Sequence, residues 1–100
     1  ANVVDWCINY EELEPYYDKV EKVVGVSGKV VEHKNQEPRS SAEFPYPTLE
    51  TNAVTKWFDE ACKELAFESI PTPRAVLSKD ALGRKGCYYS NFCGSYGCAS

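Results

Sequence analysis

The sequence predicts a small α+β chain in which two main amphipathic helices are joined by short strands and long irregular loops. Three observations carry this. Apolar residues at 13, 16, 17, 20, 23 and 24 recur at helical spacing. A second stripe, Ala53, Val54, Trp57, Phe58, Ala61, Cys62 and Leu65, does the same further on. Around these stripes lie Pro-bearing extended stretches and a tail rich in Gly, Ser, Tyr and Cys, none of which has a helical period.

Residues 1–8 read as a strand or an extended lead-in. Asn9 then has the features of an N-cap, because its side-chain oxygen can accept an orphan backbone N–H. Glu12 falls at the third helical position, as in a capping box, and Ile8 and Leu13 stand where a hydrophobic staple would. Pro15 interrupts the pattern, so a first turn is expected at 10–14 and the main helix from about Glu14 onward, the whole lying near 10–24. Gly25 supplies the C-cap. The polar stretch 32–43 is expected to be a mobile loop, with His33 exposed in it, and Phe44-Pro45-Tyr46-Pro47 to be extended.

Thr51 or Asn52 can cap the second helix, expected to run to residue 66. Lys56–Glu60 and Asp59–Lys63 are its i,i+4 pairs. The expected core joins the two apolar faces: Leu13, Tyr17, Val20 and Val24 against Val54, Trp57, Phe58, Ala61 and Leu65. Residues 67–78 suit an edge strand and 79–86 a basic turn. Cys7 and Cys62 read as small buried hydrophobes.

Composition narrows the function. The chain has 100 residues, 43% hydrophobic and 26% charged, with a formal charge of −4. That balance disfavours a nucleic-acid partner, which would call for a basic face. No apolar run approaches the ~18 residues of a membrane span. The chain has no Met, so Ala1 is expected to be an end made by processing or by design. A single His, His33, leaves little for acid–base or triad chemistry near neutrality. No G-x-G-x-x-G or phosphate loop occurs, so neither catalytic nor cofactor-binding residues are assigned.

The acids Glu11, Glu12, Glu14, Asp18 and Glu21 read as a solvated helix face. The sharp feature is Cys87-x5-Cys93-x4-Cys98, the one set of metal-ligand candidates. Three thiolates can hold an iron–sulfur cluster or part of a zinc site, but the spacing matches neither a ferredoxin run nor a zinc knuckle, and a fourth ligand is missing. The plain alternative is a tight loop of packed thiols with at most one disulfide. A free-standing Cys-rich metal-binding or redox module is therefore one reading of the chain. A non-catalytic interaction domain using its aromatic surface is another.

Two stretches resemble the glucose–methanol–choline (GMC) FAD-dependent oxidoreductases. Asp5-Trp6-Cys7-Ile8-Asn9-Tyr10-Glu11-Glu12-Leu13-Glu14-Pro15-Tyr16-Tyr17, followed by Gly25-Val26-Ser27-Gly28, is similar to that family's D-W-P-I-S-Y-E-D-L-x-P-Y-Y and G-V-S-G. Gly83-Arg84, Cys87, Cys93 and Tyr96-Gly97-Cys98 resemble the branch that includes bacterial sugar and alcohol dehydrogenases. Cys7 stands where the family has Pro, and Ser90 where a second Cys often sits.

The resemblance implies that residues 1–100 are an internal fragment joining the FAD-binding and substrate domains of a larger two-domain flavoenzyme. FAD and an alcohol or sugar substrate then belong to the parent, as do the family's flavin loop and catalytic His. The rest of that enzyme is the implied partner, and its removal is expected to leave aromatic surface that self-associates. Some relatives hold a three-iron cluster in this region. Cys87, Cys93 and Cys98 are the matching candidates at a different spacing, and the isolated chain is expected to be metal-free. Bacterial cytoplasm and periplasm are both compatible with the resemblance.

Overall fold

A computed structural model of the chain describes residues 3–90 and Cys93. Its two helices are α1, Tyr10–Val24, and α2, Ala53–Glu64. At the head of α1 the Asn9 side chain accepts the Glu12 N–H at 2.9 Å, and the Glu12 carboxylate accepts the Asn9 N–H at 3.0 Å. This is the expected capping box with Asn at its head. The helix spans the expected 10–24 and runs without a break through Pro15, so the first turn at 10–14 and the stretch from Glu14 are one helix. Proline costs one helical bond, to the Glu11 carbonyl, and Glu11 is exposed, so water can take that bond. At the far end Gly25, φ 84°, turns left-handed, and its N–H and that of Val26 both donate to the Glu21 carbonyl.

α2 is capped by Asn52, whose side chain accepts the Thr55 N–H at 2.9 Å and the Thr55 hydroxyl at 3.1 Å. It closes in a Schellman arrangement, with Phe67 N–H donating to the Cys62 carbonyl and Ala66 N–H to that of Lys63. Ala66 holds the left-handed position, φ 57°, that glycine usually takes. Neither expected i,i+4 ion pair closes on this helix.

Among the described residues, strand pairing is confined to isolated bridges. Two of them meet at Ser27, which pairs in parallel with Tyr46 and antiparallel with Arg74. Ser27 exchanges both of its backbone bonds with Arg74 at 2.9 Å, while Gly28 N–H donates to the Tyr46 carbonyl and Tyr46 N–H to that of Val26. The expected lead-in strand at 3–8 is exposed chain, and the expected edge strand at 67–78 pairs through Arg74. The expected basic turn is present: Ala81 and Arg84 exchange backbone bonds around Leu82 and Gly83, both at positive φ, as a two-residue hairpin turn of type I′ requires.

The core is this crossing, not the helix pair. Phe44 and Leu77 are its buried apolar side chains, with Ser27 buried beside them. A Cβ on Gly25 would lie 2.5 Å from Leu77, and one on Gly28 would lie 2.8 Å from the Phe44 ring. Both glycines therefore let the backbone touch the core side chains directly.

The expected helix-to-helix core does not form. α1 and α2 share no packing contact, and neither buries a residue. Tyr17, Val20, Val54, Trp57, Phe58 and Leu65 are all exposed, Trp57 at 68%. Cys7 is exposed and Cys62 half-buried, which corrects their reading as buried hydrophobes. The physical reason is that α1 is anchored by its polar side. The accessible surface is 8443 Å², against about 5,700 Å² for a compact monomer of this mass. The radius of gyration is 16.6 Å, against about 13 Å for a compact domain of this length.

Candidate functional site

Among the described residues, the acidic face of α1 is the most densely connected part of the chain. Glu14, Asp18 and Glu21 recur at helical spacing, so their side chains share one stripe. Glu14 accepts both the N–H and the hydroxyl of Ser40, at 2.8 and 2.9 Å. Asp18 accepts the Ser41 hydroxyl and pairs with Lys22 at 2.6 Å. Glu21 takes both terminal nitrogens of Arg39 in a two-point clasp. One turn nearer the N-terminus, the Tyr10 hydroxyl donates to the Pro38 carbonyl at 2.8 Å. Arg39 also lies 3.9 Å over the Phe44 ring and 3.6 Å from Glu37.

Segment 37–44 is therefore a strap across α1. This corrects two expectations: the stretch 32–43 is held, and the acidic face is occupied rather than simply solvated. His33 is corrected as well. Its side chain is only 9% exposed, with Nε2 3.0 Å from Glu68 and Nδ1 accepting the Asn35 N–H at 3.1 Å.

Electrostatics follow these contacts. Hydrogen bonds from Lys22 and then Ser41 hold the Asp18 carboxyl below its ordinary pKa. The Glu21 clasp raises Arg39, which stays charged throughout. Desolvation, then the charges of Glu37 and Glu14, pushes the Tyr10 phenol up. On the basic turn, Lys85 and the Gly86 N–H hold Asp80 below its ordinary value, and Asp80 raises Lys85 in return.

A second feature is a groove of ≈ 600 Å³ between the Ser27 crossing and the start of α2. Its lining includes Lys29 and Arg74, Glu50 and Asp59, the hydroxyls of Thr51 and Thr72, and Phe58. It offers charges and hydroxyls and has no His in its lining.

Of the metal-ligand candidates, Cys87 is half-buried with its N–H on the Leu77 carbonyl at 2.8 Å, and Cys93 is exposed. Both are free thiols, and Cys98 lies outside the described residues. Among the described residues no group of three His, Cys, Asp or Glu side chains could hold a metal ion. Of the aromatic residues crowded into 88–96, Tyr88 and Tyr89 are exposed, while Phe92 and Tyr96 lie outside the described residues. No helix among the described residues is long and apolar enough to cross a membrane.

Arg39 and Ser27 are the residues that sequence reasoning missed. A signal for Arg39 existed: three acids on one helical stripe need donors, and Arg39-Ser40-Ser41 supplies three in a row. Arg84, read as part of a basic turn, donates to the Val24 carbonyl, a cation at the negative end of α1. Arg84 thus meets the Gly25–Gly28 segment, some sixty residues earlier, at one joint.

No protein-family profile matches the chain. It is similar to the gluconate 2-dehydrogenase flavoprotein of Pantoea cypripedii, 26% identical over 96% of the chain and 18% of that protein. It is 30% identical to the fructose dehydrogenase large subunit of Gluconobacter japonicus, over 89% of the chain and 16% of that protein. It is 31% identical to the paromamine 6'-oxidase of Streptomyces fradiae, over 97% of the chain and 16% of that protein. The chain thus spans less than a fifth of the length of these curated relatives. It is distantly related to dehydrogenase and oxidase flavoproteins.

Proposed function

We propose that the chain is a segment of a GMC-type FAD-dependent oxidoreductase, lying where the FAD-binding domain joins the substrate domain. The parent would oxidise a CH–OH group of an alcohol or sugar, with FAD as the oxidant. The observation that carries this reading is similarity along 82–97% of the chain to enzymes named for gluconate, fructose, paromamine and 2-methyl-1,2-propanediol, all hydroxyl compounds. The joint at Ser27 supports it. The glycines of Gly25-Val26-Ser27-Gly28 and the arginine of Gly83-Arg84 have defined packing roles there.

The described residues do not themselves fit a flavin pyrophosphate. The side of Gly25 is filled by Leu77 and that of Gly28 by Phe44, so neither leaves an open cradle. The N-terminus of α1 is taken by its own capping box, with Glu11 and Glu12 adding negative charge. That of α2 is taken by Asn52. In this reading the chain contributes scaffold, and its groove contributes a wall toward the substrate side. Cys87, Cys93 and Cys98 belong to a loop whose metal binding, if any, depends on the rest of the parent.

Expression of the complete reading frame tests the proposal. The purified protein should show a flavin spectrum that bleaches on adding an alcohol or sugar from a panel. The 100-residue chain alone should not quench FAD fluorescence. A full-length protein without flavin, or saturable FAD binding by the chain alone, would overturn it.

A further inference from the structure

We propose that segment 37–44 is an acid-releasable latch: protonation of the Glu14–Asp18–Glu21 stripe frees it from α1 and uncovers Phe44, while the helix itself persists. The argument rests on the contacts alone and is independent of the reading above.

The strap offers donors. Ser40 gives an N–H and a hydroxyl, Ser41 a hydroxyl, and Arg39 two terminal nitrogens. The helix offers acceptors, and a carboxylate is acceptor-only while it is ionised. Each protonation therefore removes an acceptor or its charge from a face that has little else to hold the strap. The remaining direct bond is Tyr10 hydroxyl to the Pro38 carbonyl, which does not depend on a carboxylate.

Every charged or titratable group facing the latch is accounted for. From α1 these are Tyr10, Glu11, Glu14, Asp18, Glu21 and Lys22, and from the strap they are Glu37, Arg39 and Glu43. Tyr10 and Arg39, both pushed up, keep their protons in acid, so the response comes from the carboxylates. Glu37, at 3.6 Å, is a poor substitute for the Glu21 clasp. The sign follows from Asp18, whose carboxyl is held below its ordinary value. Its contribution is present above the unfolded value and lost as pH falls through the folded one.

Release has a defined consequence. Arg39 covers Phe44, and Phe44 packs on Gly28 beside the Ser27 crossing. Opening the strap therefore strips one side of the core. The backbone bonds of α1 do not run through these carboxylates; only the capping-box bond to Glu12 does, at the first turn. α2 is an internal control, since its cap, Asn52, carries no titratable group.

The test is hydrogen exchange, resolved by peptide and corrected for intrinsic rates, on the full-length protein at neutral pH and at about pH 2.5, below the ordinary carboxylate range. Residues 37–44 should lose about tenfold in protection, while 53–64 and 14–24 keep theirs. Glu21→Gln should open the strap already at neutral pH. Ser41→Ala, which leaves the Arg39 clasp intact, should shift release to higher pH without opening it at neutrality. Equal protection of 37–44 at both pH values would overturn the proposal. So would loss of protection at 14–24 in step with the strap, which would make the change a helix unfolding rather than a latch.

Discussion

α1 and α2 begin alike and end in different situations. Both are amphipathic, both are capped by an Asn whose side chain accepts an N–H at 2.9 Å, and both close through a left-handed residue. Yet α1 is bound to the rest of the chain by four residues of one face, Tyr10, Glu14, Asp18 and Glu21. α2 has no comparable side-chain tie, and apart from half-buried Cys62 its residues are exposed. The difference teaches that amphipathicity says which face wants cover, not which face receives it. α1 is seated on its polar side, so Tyr16, Val20 and Val23 point away from the chain's own core. Apolar faces left bare on both helices are what a segment of a larger fold would carry.

The largest effect that sharpens the contrast concerns the two aromatic sites. Phe44→Ala should cost about 3–5 kcal/mol, because it empties the centre of the crossing. Trp57→Ala in the isolated chain should stay within about 0.5 kcal/mol, since nothing of this chain covers it. Thermal or denaturant melts of the two variants measure both, and a Trp57 variant as damaging as the Phe44 one would break the comparison.

Next comes Gly25→Ala, which meets Leu77 at 2.5 Å in a left-handed backbone. It should destabilise by about 2–3 kcal/mol, seen as a lower midpoint in urea.

Arg39→Ala should follow at about 2 kcal/mol. Its signature is specific: stability between neutral pH and the carboxylate range should become flatter, because Arg39 no longer helps hold the Asp18 carboxyl below its ordinary value. An unchanged pH profile would show that the strap is not held by charge.

The smallest effect has the opposite sign. Ala66→Gly relieves a non-Gly residue at φ 57° and should stabilise α2 by about 0.5–1 kcal/mol, read as a small rise in melting temperature.

What was legible in the sequence was local. Asn9, Glu12, Gly25 and Asn52 announce helix ends because capping depends on neighbours a few residues away. The turn at 81–84 is legible for the same reason. What was not legible depended on partners far along the chain. Glu14 meets Ser40 and Glu21 meets Arg39 across some twenty residues, and no periodicity in a polar loop signals that. Trp57 and Phe58 were assigned to a core by the ordinary preference of large apolar side chains for burial. That preference says they need cover, not that this chain supplies it. Ser27 was unreadable because a small polar residue becomes the crossing point only when three distant segments meet on its backbone.

The central claim is that the outward apolar faces of α1 and α2 are covered by the rest of a larger oxidoreductase. Hydroxyl-radical footprinting of Trp57 and Tyr16, in the isolated chain and in the full-length protein, tests it directly. Both side chains should oxidise readily in the isolated chain, where they are 68% and 67% exposed, and fall at least about tenfold in reactivity in the full-length protein, as side chains moved from solvent into a packed interior do. Equal reactivity in the two proteins would contradict the claim.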